Sequence, residues 1–193
     1  MKYYTKIGLI LLPILVATLL CGCSTVTITQ PLTKDPKPIN QEEFEGVWIL
    51  EDQSIHIKFG SDGIARIATL EWKDDRFELK RGEMIVTPGK AHNFLSVRFQ
   101  EDGEWESRYH FLPYKFTDQG DLVLWPPKIG EFEKAVAKQQ LKGSIKKGEH
   151  STHVTITDAP DKVLEFINAP DKMNLFKYRD PLVLHKLPGK EED

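Results

Sequence analysis

Cysteine is almost missing from this 193-residue chain: there are two, Cys21 and Cys23, two positions apart. Residues 24–193 therefore carry no thiol, which excludes a disulfide, a thiolate nucleophile and a cysteine metal cage from the body of the protein. The body must stand on packing alone. An excess of charge of one sign is lacking too, with 26 Lys and Arg against 29 Asp and Glu. A net charge of −3 keeps a surface soluble and gives no overall pull toward nucleic acid. Catalytic signatures are absent: no G-x-S-x-G, H-E-x-x-H or phosphate-binding loop occurs. His56, His92, His110 and His185 are scattered, with no Ser or Asp beside them in a nucleophile-elbow context. The carboxylates cannot be paired by spacing as acid and base. The pattern points to binding more than to catalysis, and it implies no cofactor.

What the chain does have begins at its first residues. Lys2 and Lys6 precede an uncharged apolar run, residues 7–20. That run suits the core of an export signal and is short for a bilayer crossing, which takes about 20 apolar residues. Pro13 inside it would weaken a permanent spanning helix. The run ends in Leu20-Cys21-Gly22-Cys23, which resembles the lipobox of bacterial lipoproteins, with Leu20 at −3, Gly22 at −1 and Cys23 as the residue to be lipidated. The resemblance implies that residues 1–22 are a signal peptide cleaved before Cys23. It also implies a diacylglyceryl thioether on the Cys23 sulfur and a further acyl chain, such as palmitate, on the new N-terminus. Ser24, where an Asp would retain the protein elsewhere, implies an outer-membrane address facing the periplasm. One acyl chain anchors only marginally, at about 0.8 kcal/mol per buried methylene, so two or three make a lasting membrane attachment.

After the anchor, residues 24–40 are polar and contain Pro31, Pro36 and Pro38, a composition that predicts a tether. Residues 41–188 read as one β-rich domain, and the acidic end, 189–193, as frayed. Between Phe44 and Trp125 the period is two, punctuated by turns. Ile55, Ile57 and Phe59 alternate with His56 and Lys58; Leu95, Val97 and Phe99 alternate with Ser96 and Arg98. Strands are expected at 55–59, 64–72, 77–80, 84–87, 95–99, 105–116 and 122–125, then at 154–157 and 182–187. Helices are expected at 130–140, stopped by Gly143, and at 159–167, capped by Asp158. The fold class is mainly β with an α+β character. It is an antiparallel meander, barrel-like or strongly curled, with two helices from the last third packed on it.

The opening of that meander, Phe44-Glu45-Gly46-Val47-Trp48, resembles the F-x-G-x-W start of lipocalins. The resemblance implies that Trp48 plugs the closed end of a barrel below a ligand cavity. The later Thr-Asp-Tyr signature is absent, since Thr117-Asp118 runs into Gln119, and no late arginine stands to pack on the tryptophan. An aromatic set, Trp105, Tyr109, Phe111, Tyr114, Phe116 and Trp125, could line a pocket with Trp48 or fill a core. Trp105, Tyr109 and Phe111 share parity with Ser107, as a packed face would. Glu149, His150 and His153 form the one cluster with metal-ligand residue types. They lie in a loop-like stretch without a third ligand, which argues for a solvated loop. Lys134, Lys138 and Lys142 fall on one helical stripe that could touch anionic headgroups.

These observations point to a lipid-anchored cell-envelope protein that binds a protein partner or a small ligand. One alternative is a lipocalin-like carrier of a small apolar ligand. Another is a hydrolase of envelope polymer whose carboxylates or histidines are gathered only by folding. Replacing Cys23 by Ser is expected to release the protein from membranes with its fold intact. Cell fractionation with circular dichroism checks this, and undiminished membrane retention would refute the anchor.

Overall fold

The computed structural model describes residues 24–36, 40–90, 92–172 and 174–189; the leader, Cys23 and residues 190–193 lie outside the described residues. The period-two segments become strands that pair with their neighbours in chain order. A single-turn helix, α1 (Gln41–Phe44), leads into β2 (Gly46–Leu50), β3 (Gln53–Phe59), β4 (Ala65–Lys73), β5 (Arg76–Thr87) and β6 (Asn93–Glu101). A two-residue strand, β7 (Glu104–Trp105), turns back on β6, and then come β8 (Tyr109–Phe116), β9 (Leu122–Leu124) and β12 (Leu182–Lys186). Each of β2, β3, β4, β5, β6, β8, β9 and β12 pairs antiparallel with the next, and β12 returns to β2 through His185↔Ile49 and Lys186↔Trp48. The result is a closed antiparallel barrel of eight strands, which leaves these strands no free edge.

Alternation along each strand separates two cores. Ile57, Ile67, Met84, Val86, Leu95, Val97, Tyr114, Leu122 and Leu184 point into the barrel with Phe44 and Trp48. On the outer face, Ile85, Phe94, Tyr109 and Phe111 meet two helices, α2 (Ile129–Ala137) and α3 (Pro160–Ile167). Those helices offer Phe132 and Ala135, and Val163 and Ile167, respectively. Each such side chain taken fully out of water contributes about 1.5–3 kcal/mol. Two helices from the last third pack on the curled sheet, as the sequence predicts.

The expected tether is the main correction. Within residues 24–40, β1 (Thr25–Ile28) is a strand, with Val26 and Ile28 each 2% exposed. It lies parallel to β11 (Thr152–Ile156) and antiparallel to the start of β8, through Thr27↔His110 and Ile28↔Tyr109. Leu32 is buried as well, and its N–H donates to Ser96 Oγ at 3.1 Å. A four-residue strand just before Pro31 is too short to show a period. Its partners lie more than 80 residues away.

Other differences have local causes. Residues 76–87 form one strand because Gly82 permits close approach rather than a turn. A Cβ there would lie 2.9 Å from the Arg98 carbonyl oxygen and the Phe99 ring. Residues 105–116 are split, since 106–108 carry the chain from β7 to β8. Gly143 opens β10 (Gly143–Lys147), an edge strand paired with β11, instead of ending a helix. Among the described residues no helix is long and apolar enough to cross a membrane.

Asp158 does not cap α3, whose N-cap position is Ala159 without a side-chain bond. Its carboxylate instead accepts the Lys142 N–H at 2.5 Å and meets Lys162 at 3.1 Å, tying the chain before β10 to the start of α3. Burial alone would raise its pKa; the Lys142 N–H and the Lys162 ammonium outweigh that and hold it below the usual carboxylate range. Stability from a depressed carboxylate is present above the unfolded pKa, about 3.9, and is lost as pH falls through the folded value. Asp158→Ala is expected to lower unfolding free energy by about 1–3 kcal/mol at neutral pH, because the Lys142 N–H loses its acceptor. The gap to wild type should close in acid. Denaturant titrations at both pH values check this, and a gap that is constant with pH would count against the carboxylate.

Candidate functional site

The two ends of the barrel are built differently. At one end α1 lies across the opening and Trp48, fully buried, fills it. The indole Nε1–H donates to the Phe44 carbonyl at 2.7 Å. Phe44 in turn meets Phe116 at 4.8 Å, Tyr114 at 5.2 Å and Phe59 at 6.1 Å between ring centroids, all edge-on. Burial in this cluster outweighs the hydrogen bond from Asn93 and pushes the Tyr114 phenol up to about 12. A late lysine, and no arginine, stands over the tryptophan. Lys186 Nζ sits 5.3 Å from the Trp48 ring centroid and donates to the Glu42 and Glu43 carbonyls at 2.9 and 3.0 Å. One cation thus holds the plug and the last turn of α1 together.

Away from the plug the inward side chains change from aromatic to aliphatic and leave a cavity of about 130 Å³. Leu50, Ile57, Met84, Leu95, Val97 and Leu112 are among its lining; Gln53, Thr69 and His110 are the polar residues there. His110 is mostly buried, and burial lowers its pKa; Glu106 opposes that shift and Arg108 adds to it. Its Nδ1 lies 3.4 Å from Thr25 Oγ1 and its Nε2 3.9 Å from Glu106. The imidazole is therefore held toward its neutral form, as an apolar lumen favours.

His110 also faces a second space. A crevice of about 350 Å³ opens on the flank of the barrel, where β8 changes partner from β1 to β9. Ser24, Thr25, Phe111, Ile129, His150 and Lys177 are among its lining, and it shares His110, Leu112 and Leu182 with the lumen. Ser24 is fixed at this lip, since the Thr152 N–H donates to its Oγ at 2.8 Å. No family model, curated protein or solved structure matches the chain.

The seven aromatics expected around a pocket do not converge on one, and Tyr114 and Phe116 belong to the barrel core. Trp48 lies in the barrel, whereas Tyr109 and Phe111 point outward beneath the helices. Trp105 is 39% exposed on the outer wall, where Arg98 stacks between it and Tyr109 at 5.0 and 4.8 Å. Arg98 also pairs with Glu83 at 2.7 Å, and the Tyr109 hydroxyl donates to the same carboxylate. Trp105 borders an open saddle with His56, Lys58, Arg66 and Arg81, in which Lys58 is paired with Glu45 and Arg66 with Asp62. Trp125 stacks outside the barrel with His92 and Tyr178. Strand parity put Tyr109 and Phe111 on one face, but which face is toward the lumen is fixed only by closure.

His150 sits in the β10–β11 turn and His153 within β11, opposite Lys146 and Thr25. Among the described residues no group of three His, Cys, Asp or Glu could hold a metal. In the lysine stripe, Lys134 pairs with Glu131, while Lys146 and Lys147 guard the edge strand β10 and Lys147 reaches Glu133. An imidazole–carboxylate pair, His185 with Asp121 at 2.9 Å, lines neither the lumen nor the crevice. The residues missed in sequence are His110 and Leu112. Their parity opposite Phe111 was readable; their place at the junction of two spaces was not.

Lys186→Met is expected to cost about 1 kcal/mol, in the range of a partly exposed cation–π contact plus its carbonyl bonds, with Lys186→Arg close to wild type. Chemical denaturation of both variants checks this. An unchanged midpoint in Lys186→Met would remove the lysine from the plug.

Proposed function

We propose that the chain is a lipid-anchored protein of the cell envelope whose barrel lumen takes a small apolar molecule, or the apolar end of a larger one. The observation that carries this is a lumen closed at one end by Trp48 and lined above it mostly by aliphatic side chains. An eight-stranded barrel is just wide enough to be filled or to hold one small ligand. The anchor reading places the attachment beside a fixed part of the fold: Ser24, next to the lipobox cysteine, accepts the Thr152 N–H, and Thr25–Ile28 form a strand. An outer-membrane, periplasm-facing position follows from the same lipobox argument.

The lipocalin-like reading is supported by the closed eight-strand meander and by the Trp48–Lys186 plug. Size limits what such a carrier could hold. At about 130 Å³ the lumen is smaller than the roughly 300–1,000 Å³ of common ligand sites and near the ~150 Å³ of an engineered cavity that takes benzene. A single ring or a short aliphatic segment is the ligand class that fits.

Solvent extraction of the purified protein, with mass analysis of the extract, tests for an endogenous occupant. Uptake of a single-ring apolar probe tests the space itself. Val97→Phe and Leu112→Phe should each cut that uptake by about tenfold or more while near-native circular dichroism persists, since overpacking costs about 1–3 kcal/mol. Probe uptake absent from the wild type, or unaffected by filling the lumen, would remove the proposal.

A further inference from the structure

We infer that one acyl chain of the anchor on Cys23 folds back into the side crevice and lies against the wall of His110, Leu112 and Leu182 that the crevice shares with the lumen. The inference rests on the lipid-anchor reading and names the occupant of the space that reading leaves open. Ser24 and Thr25 form the lip of the crevice, and neither is free to swing away. Ser24 Oγ takes the Thr152 N–H, and β1 is bonded to β11 on one side and β8 on the other. The Cys23 α-carbon must lie about 3.8 Å from that of Ser24, so a chain on its sulfur starts at the crevice mouth.

The lining suits such a chain. Ser24, His150, Lys177 and Asp180 stand among the polar residues of the crevice, where the glyceryl ester and amide carbonyls of an acylated cysteine would lie. Leu112, Ile129 and Leu182 are among its apolar residues, and Leu112 and Leu182 also line the lumen. Volume agrees as well. The lumen alone, at about 130 Å³, is too small for a long chain, whereas the crevice offers about 350 Å³ on the other side of three shared residues. Two chains suffice for lasting attachment, so an anchor with three can spare one.

The near absence of cysteine makes the test clean. With Cys21→Ser throughout, a cysteine placed at Leu182 or Ile129 in the crevice, or at Ser151 beside Ser24 but outside it, is the one reactive thiol. Maleimide labelling rates are compared between the lipidated full chain in mild detergent and the same chain carrying Cys23→Ser. Labelling tracks the fraction of time the crevice is empty, so Leu182→Cys and Ile129→Cys should react about tenfold or more slowly when Cys23 is acylated. Ser151→Cys should react alike in both. Two crevice positions guard against one variant failing to fold. Equal rates at the crevice positions overturn the inference, and so does an equal slowing at Ser151, which would mean that detergent or lipid merely covers the face. Intact mass separates the causes. An acylated Cys23 with an open crevice ends this inference alone, and an unmodified Cys23 ends the anchor reading with it.

Discussion

One edge of β8 serves two partners, and the architecture divides at the point where it changes hands. Tyr109 and His110 bond to β1; Tyr114, Lys115 and Phe116 bond to β9. Pro113 stands between them. A proline has no N–H to give to a ladder, so it suits the residue at which an edge passes from one strand to another. Its carbonyl still takes the Trp125 N–H at 3.1 Å, which holds the chain leaving β9 against β8. Beyond this point β9, β12 and β2 curl round to close the barrel, while β1, β11 and β10 continue as a flap beneath the helices. Between His110 and Tyr114 that edge of β8 has no ladder partner among the described residues. The crevice lies there.

The distribution of side-chain size inside the barrel does the rest. Eight strands enclose little more than their own side chains. Phe44, Trp48, Phe59, Tyr114 and Phe116 are gathered at one end by α1 and Lys186, and they use that end completely. At the other end Leu50, Ile55, Leu124 and Leu182 are smaller, and unfilled volume collects among them. The cavity is thus a consequence of placing the rings together rather than of a wide barrel. The same economy explains why the lumen holds only a small guest.

Much of this was legible in the residues. The alternations Ile55, Ile57, Phe59 and Leu95, Val97, Phe99 named inward faces correctly, and both helices lie close to where apolar spacing put them. Trp48 declared itself by its place at the start of the first barrel strand. The failures share a cause, namely contact between residues far apart in sequence. Four residues of β1 carry too few alternations to compete with the prolines that follow, and their order comes from β11 and β8. Asp158 has the residue type of a helix cap, yet the nearby Lys142 N–H is the stronger claim on it. Lys186 reads as an exposed strand lysine until the barrel closes and brings it over Trp48. The crevice is assembled from residues near 25, 111, 128 and 180, and no local pattern can announce that.

Removing the tether changes what an anchor at Cys23 would do. A flexible linker of 17 residues would span roughly 20–25 Å and leave the domain free to tumble above the bilayer. With the first strand locked into the sheet, an anchor at Cys23 would join the domain without a flexible spacer. The surface around Ser24, the β10–β11 turn and the start of α2 would then be the surface held against the headgroups. That surface carries Lys146 and Lys147 on the edge strand and Lys177 in the crevice, although the chain as a whole is acidic. Acidic proteins are repelled by anionic leaflets and single lysines near the surface are attracted, each by about 1 kcal/mol. Local basic charge beside a short, rigid attachment would favour one orientation over the rest. The crevice mouth would then open toward the membrane, and an acyl chain could pass between bilayer and barrel with little exposure to water.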